Sequence, residues 1–330
     1  MWTSLLLLYA QLVVGITVVT VISTQCPTNC RCTHNFTAVN LGVDCLGRPD
    51  VGSRRLSDEL DSMLSSNLTY GRLLSLSIVN SSLTHAPRSI CRLTTLTELL
   101  LDNNRLTRLP DDCLTNLSNL SWFAASNNAI ETLQNGVFDG LTNLRYLDLG
   151  RNRISSIGLP VFATSSNLSN LFTINLSENA LTSLDTWFYD RGIIGKFKRK
   201  VRIDLSHNEI SKFTNKMGHK LLAQHKLCSL PFLHRYVDLR YNKIQHIGDI
   251  FNGWQPNCKE IDLRNVRMSL FIINTLRNNI ICDCIKYNFY RIVQRPQYPE
   301  RYKILIQDQP CWRTFKIDFK CNLTDPLTRK

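Results

Sequence analysis

The side chains of this 330-residue chain that could do chemistry are 12 cysteines, seven histidines and a dense set of basic residues. The histidines (His34, His85, His207, His219, His225, His234 and His246) are scattered, and none stands with a serine or cysteine in a nucleophile motif. There is no G-x-S-x-G elbow, no H-E-x-x-H pair and no Walker loop. These absences argue against an enzyme, and no residue pattern asks for a cofactor. A metal site would have to combine Cys228 with His219 and His225, a spacing that brings no fourth ligand, so no metal is expected. What remains for the cysteines is oxidation, and that depends on the compartment.

The first residues address the compartment. Leu5 to Leu8 and Leu12 to Ile22 form a nearly unbroken apolar run. It ends in Val21-Ile22-Ser23, a small residue at −1 and an apolar one at −3 of a cleavage site. Residues 1–23 therefore read as a signal peptide. No Lys or Arg precedes the run, and the alternative is a retained N-terminal anchor. No second stretch of about 18 apolar residues follows. The expectation is a secreted, extracellular or cell-surface glycoprotein, tethered to a membrane only through a retained leader or a continuation beyond Lys330. Acceptors of the form Asn-x-Ser/Thr occur at Asn35, Asn67, Asn80, Asn116, Asn119, Asn167, Asn175 and Asn322, and seven of these eight precede residue 176.

Charge is skewed the other way. Residues 1–185 hold 12 Lys+Arg against 14 Asp+Glu, whereas residues 186–330 hold 27 against 12, which together give the net +13. The densest run is Lys196-Phe-Lys198-Arg199-Lys200-Val-Arg202. Such a field speeds encounter with anionic partners and weakens with salt. Outside the cell those partners are sulfated glycans and anionic head groups. Nucleic acid is excluded as a partner by the compartment and by the absence of a recognisable module.

Beneath these residues lies a repeated frame, L-x-x-L-x-L-x-x-N-x-L. It fits Leu96, Leu99, Leu101, Asn104 and Leu106, then Leu144, Leu147, Leu149, Asn152 and Ile154, then Leu171, Ile174, Leu176, Asn179 and Leu181. Softer copies centre on Asn128, Asn208 and Asn242, and degenerate ones place Ser81 and Val266 at the asparagine position. The alternating leucines of each copy predict a short strand with one face inward. A buried asparagine at the following turn can donate to and accept from neighbouring backbone, so stacked copies make a ladder. One copy cannot bury its leucines alone, so the copies must stack into a curved solenoid. Cys91 and Cys113 fall 10 and 9 residues after Ser81 and Asn104, equivalent places on adjacent turns, which predicts a disulfide on the convex side.

On these residues the chain resembles the extracellular leucine-rich repeat family, with the cysteine caps of Toll-like, Slit-like and lymphocyte-receptor-type ectodomains. Cys26-Pro-x-x-Cys30-x-Cys32 with Cys45 resembles the family's N-terminal cap, and Cys282-Asp-Cys284 with Cys311 and Cys321 its C-terminal cap, including Asn278-Asn279 just before it. The resemblance implies an α/β solenoid, a right-handed horseshoe with disulfide-bonded caps. It implies the pairs Cys26–Cys32, Cys30–Cys45, Cys282–Cys311 and Cys284–Cys321. Cys228 and Cys258 are left over and by elimination pair with each other. The organisation expected is signal peptide 1–23, N-terminal cap 24–66, about eight repeats over 67–270 with the first and last degenerate, and C-terminal cap and tail 271–330.

Residues between and beside the inward leucines line the concave face in three columns. The first holds Glu98, Trp122, Tyr146, Thr173, Arg202, Tyr236 and Glu260; the second Leu100, Ala124, Asp148, Asn175, Asp204, Asp238 and Asp262; the third Asp102, Ser126, Gly150, Ser177, Ser206, Arg240 and Arg264. Trp122, Tyr146 and Tyr236 are residue types that anchor interfaces. With Arg202, Arg240, Arg264, Lys196, Lys198, Arg199 and Lys200 they are the candidate ligand contacts. The function expected is recognition of a protein or an anionic glycan. Alternatives are a structural matrix glycoprotein, or the truncated ectodomain of a single-pass innate-immune or neuronal receptor.

Overall fold

The computed structural model describes residues 26–28, 30–35, 40–45, 53–64, 73–158, 161–162, 168–185, 201–213, 235–245, 269–274, 278 and 302–307. Among them, one sheet collects eleven strands: β1 (Arg31–Asn35), β2 (Asn40–Asp44), β3 (Ser75–Val79), β4 (Glu98–Leu100), β5 (Trp122–Ala124), β6 (Tyr146–Asp148), β7 (Thr173–Asn175), β9 (Val201–Asp204), β11 (Arg235–Asp238), β12 (Ser269–Asn274) and β13 (Tyr302–Gln307). β1 and β2 form an antiparallel hairpin, and every later neighbour is parallel. Sheet order follows chain order, as a solenoid requires: each turn lays one strand beside the last. A second parallel pair, β8 (Ser183–Leu184) and β10 (Lys212–Phe213), lies past the turn.

The frame residues build the interior. Leu99, Leu101, Leu147, Leu149, Ile174, Leu176, Ile203, Leu205, Val237 and Leu239 are all buried. The asparagine ladder is present in full chemical detail. Nδ2 of Asn152 donates to the carbonyls of Leu149 in its own turn and Ala125 in the turn before, both at 3.0 Å, and its Oδ1 accepts from the Ile130 amide at 3.0 Å. Asn104, Asn128, Asn179, Asn208 and Asn242 repeat this pattern. Ser81, standing where the first asparagine belongs, turns its hydroxyl to the Val79 carbonyl and gives its own amide to Asn104 Oδ1. Each asparagine thus serves two turns, which satisfies backbone that the bend removes from water.

Just before each rung the chain turns through positive φ: Asn80, Asn103, Asn127, Arg151, Glu178, His207 and Tyr241, all non-glycine, lie between 51° and 56°. Such residues are uncommon in that region. Here the geometry is repaid by a bond to the next turn: the amides of Asn103, Asn127, Arg151, Glu178 and His207 donate to the carbonyls of Ser126, Gly150, Ser177, Ser206 and Arg240.

The last turn corrects the sequence frame. That frame sets Val266 at the asparagine position, with Glu260, Asp262 and Arg264 continuing the three columns. β11 instead pairs with β12, setting Tyr236 beside Ile272 and Asp238 beside Asn274. Asn278 supplies the rung, donating to Leu239 O at 2.7 Å and accepting from the Ile244 amide at 3.0 Å. The chemistry of the rung asks for an amide: a valine side chain offers neither a donor nor an acceptor, and Asn278 offers both. The sheet continues through β12 and β13, while Glu260, Asp262, Arg264 and Val266 lie outside the described residues.

At the other end, Cys26–Cys32 and Cys30–Cys45 are bonded, the pairs implied for an N-terminal cap. Helix α1 (Ser53–Leu64) follows the hairpin, with Leu56, Leu60, Met63 and Leu64 buried at helical spacing against the first turns. The Thr28 amide donates to Glu59 Oε2 at 3.0 Å, tying cap to helix. On the convex side, Cys91 is bonded to Cys113, joining the short helix Arg88–Arg92 to α2 (Asp111–Leu114). Farther along, Phe138 and Phe162 stack at 5.5 Å between buried neighbours, occupying the convex layer without a covalent link. Residues 1–25, Cys228, Cys258, Cys282, Cys284, Cys311, Cys321 and the His219–His225 pair lie outside the described residues.

Candidate concave binding face

Strand register makes the first column a physical row: Glu98, Trp122, Tyr146, Thr173, Arg202 and Tyr236 are successive neighbours. Trp122 to Tyr236 covers four strand spacings, about 19 Å. Two contacts organise the row. Trp122, 43% exposed, stacks on Tyr146 with ring centroids 4.0 Å apart. The guanidinium of Arg202 sits 5.4 Å over the ring of half-buried Tyr236. Thr173 separates the two pairs.

The second and third columns work together inside the protein. Asp148 accepts the Tyr146 hydroxyl at 3.0 Å, the Gly150 amide at 2.9 Å and the Asn175 amide side chain at 2.9 Å. Asn175 Oδ1 in turn accepts from the amide and hydroxyl of Ser177, and Asp204 Oδ1 from those of Ser206. Asp238, whose side chain is fully buried, receives the Arg240 amide and guanidinium, including an ion pair at 2.7 Å. Each of these acceptors closes a turn onto the residue two places on, a local habit of Asx side chains. Gly150 is small for a reason visible here: a Cβ would stand 2.8 Å from Asn175 Nδ2 and 3.2 Å from Asp148 Oδ1. The carboxylates of Asp148, Asp204 and Asp238 are therefore committed to the fold.

Electrostatics follow this geometry. Burial, then the Asp148 carboxylate, push the Tyr146 phenol up to about 12, so it stays a donor to Asp148. Burial raises the Asp102 carboxyl, opposed by the amide and hydroxyl of Ser126, each 2.6 Å from its Oδ1. The hydrogen bond to Asp238 raises Arg240, which remains a cation at any physiological pH.

Of the sequence-derived contacts, Trp122 with Tyr146 and Arg202 with Tyr236 are brought together, while Arg240 is spent largely on Asp238. Lys196, Lys198, Arg199, Lys200 and Arg264 lie outside the described residues. Two exposed aromatics escaped the sequence reading. Phe172, 59% exposed, precedes β7, where the turns on its N-terminal side carry Thr97, Ser121 and Arg145. Tyr241, 43% exposed, stacks on His207 at 4.1 Å along the positive-φ row. The signal for Phe172 was an aromatic replacing a polar residue at one frame position. The pairing of His207 with Tyr241 required the αL geometry. Among the glycosylation acceptors, Asn80, Asn116 and Asn119 are exposed and Asn175 is half-buried in the sheet. Asn35 lies on β1, and Asn67, Asn167 and Asn322 are outside the described residues.

Residues 94–154, which span three of these strands and two full rungs, match the leucine rich repeat family. The protein carries leucine-rich repeats. No curated relative matches the sequence. Among solved structures, the leucine-rich repeat chain is similar to one in the LRIM1/APL1C complex (20% identity, 67% of this chain and 33% of that one, TM-score 0.45). It is also similar to the leucine-rich repeat domain of APL1B (18%, 81% and 60%, TM-score 0.44) and to an internalin, InlF, from Listeria monocytogenes (19%, 68% and 52%, TM-score 0.39). It spans less than two thirds of the length of each. A leucine-rich repeat solenoid exposes one broad sheet as a contact surface, and this one carries aromatic and cationic pairs on it.

Proposed function

We propose that this is a secreted or cell-surface recognition protein that binds a protein partner through the concave sheet and an anionic glycan through its basic C-terminal half, without catalysis. One observation carries the reading: on the open sheet Asp148, Asp204 and Asp238 are bonded internally, so among the described residues Trp122, Tyr146, Arg202 and Tyr236 are left as the row that can meet a partner. Aromatics and arginine are the residues that most often dominate binding energy. Three disulfides among the described residues and the apolar leader support export.

Asn175 bears on where the partner lies. Its Nδ2 gives one hydrogen to Asp148, and the other is available for a sugar. A glycan there would rise from β7, the strand between the two pairs, and confine a flat partner to one side. Peptide mapping of the secreted protein tests this: an occupied Asn175 supports a divided face, and a bare one a continuous face. For the glycan, replacing Lys198, Arg199 and Lys200 by alanine should lower the salt needed for elution from heparin without altering Tm. Unchanged elution removes that run from the proposal. For the protein partner, screening the secreted chain against cell-surface ectodomains and repeating any hit with Trp122→Ala and Arg202→Ala distinguishes concave contact from contact elsewhere.

A further inference from the structure

The first half of the chain is slightly acidic, yet the fold gathers three of its arginines around one cleft on the convex side. The cleft, about 760 Å³, lies between α1, the short helix Arg88–Arg92 and the segment leading into α2. Its apolar lining includes buried Pro87 and Leu109 and the Cys91–Cys113 disulfide. Arg54 from α1, Arg88 from the short helix and Arg108 from the descending segment line it as well, and all three are exposed. None of them makes an ion pair with another described residue. The two acids in the lining, Asp58 and Asp61, offset part of this charge and leave the arginines in excess. Asp61 accepts the Ser89 amide at 2.7 Å and so braces α1 against the short helix, which leaves exposed Asp58 as the one carboxylate without such a bond.

We propose that this cleft is a second ligand site, one that takes a sulfate- or phosphate-bearing group, with the glycan sulfate as the favoured source. Guanidinium groups present planar, paired donors that match such oxyanions, and an ammonium does not reproduce that match. The apolar lining suits the face of a sugar ring. The disulfide holds two of the three arginine-bearing segments in fixed relation, so the cationic triad is set before the ligand arrives, which lowers the ordering cost of binding. The cleft is separate from the concave face and shares no lining residue with the basic run near Lys198.

The test uses the full secreted chain carrying Lys198→Ala, Arg199→Ala and Lys200→Ala, so that the basic run does not dominate. A heparin hexasaccharide is titrated calorimetrically into this protein and into the same protein with Arg54→Ala, Arg88→Ala and Arg108→Ala. The site predicts affinity weaker by about tenfold or more, with Tm unchanged because all three side chains are exposed. Replacing the three by lysine, which keeps charge and loses the paired donors, should also weaken binding by several-fold. Equal affinity in the alanine variant overturns the proposal, whatever the basic run does in the parent. Displacement by glucosamine sulfate at lower concentration than by inorganic phosphate supports a glycan sulfate as the ligand. The reverse order supports a phosphate group at the same three arginines.

Discussion

Trp122–Tyr146 and Arg202–Tyr236 occupy equivalent places on one sheet and offer a partner different chemistry. At the first pair, a tyrosine hydroxyl is held by Asp148, and the surface that reaches solvent is an indole. At the second, Asp238 is absorbed by Arg240, and the group that reaches solvent is the Arg202 guanidinium above a ring. The acids look alike in the sequence and behave alike in the fold: both are internal acceptors. What distinguishes the halves is the column beside them. The lesson is that recognition on this face is written in the first column, while the second keeps the turns closed.

Both halves hang on one ladder, so the most disruptive test of their independence is to cut it between them. Asn179→Ala removes donors to Leu149 O and an acceptor for the Ile154 amide, leaving buried backbone unpaired, and should cost about 3 kcal/mol by urea unfolding. A single transition would show the halves folding as one unit; two transitions would show that the comparison concerns two separable bodies.

Trp122→Ala should weaken binding of a concave-face partner by about 2 kcal/mol, and Arg202→Ala by less, since an exposed cation over a ring contributes only about 0.5–1 kcal/mol. An equal loss from both would mean that the two pairs act as one surface. Arg240→Ala leaves the buried Asp238 carboxylate without its partner. Because that arginine is itself 38% exposed, the pair is screened on one side, and a loss of about 1–2 kcal/mol is expected. Asp148→Asn, which keeps an acceptor for the Gly150 amide, should cost less than Arg240→Ala in the same assay.

The smallest effect has a definite sign. The Asp102 carboxyl is raised in the folded state, so its charged form is disfavoured there relative to the unfolded chain. Its contribution is favourable at pH below the unfolded value and is lost as pH rises through the folded one. Asp102→Asn, which can still accept from Ser126, should therefore match the parent at acid pH and exceed it slightly in stability at neutral pH. A stability difference that does not change with pH would show that Asp102 titrates as an ordinary surface acid.

Much of this was legible from spacing. The frame placed Trp122 beside Tyr146 and Arg202 beside Tyr236, because strand register carries one frame position to the same position on the next turn. It placed Cys91 beside Cys113 for the same reason. It failed at Val266, where apolar spacing alone was followed although the ladder needed an amide, found at Asn278. It also left open the role of the Asp column, because whether a carboxylate faces a partner or closes a turn depends on the two residues after it and on a neighbour some 27 positions away, as with Asp148 and Asn175.

By itself the amino-acid sequence determined the architecture: repeated leucines that no single turn can bury, and an asparagine per turn that only stacking can satisfy, leave a solenoid as the outcome. The tertiary structure decided which polar groups remain for partners. That choice is made by hydrogen bonds between turns, which committed Asp148, Asn175 and Asp238 to the interior account and left an indole, a guanidinium and, across the molecule, three arginines of one cleft facing outward.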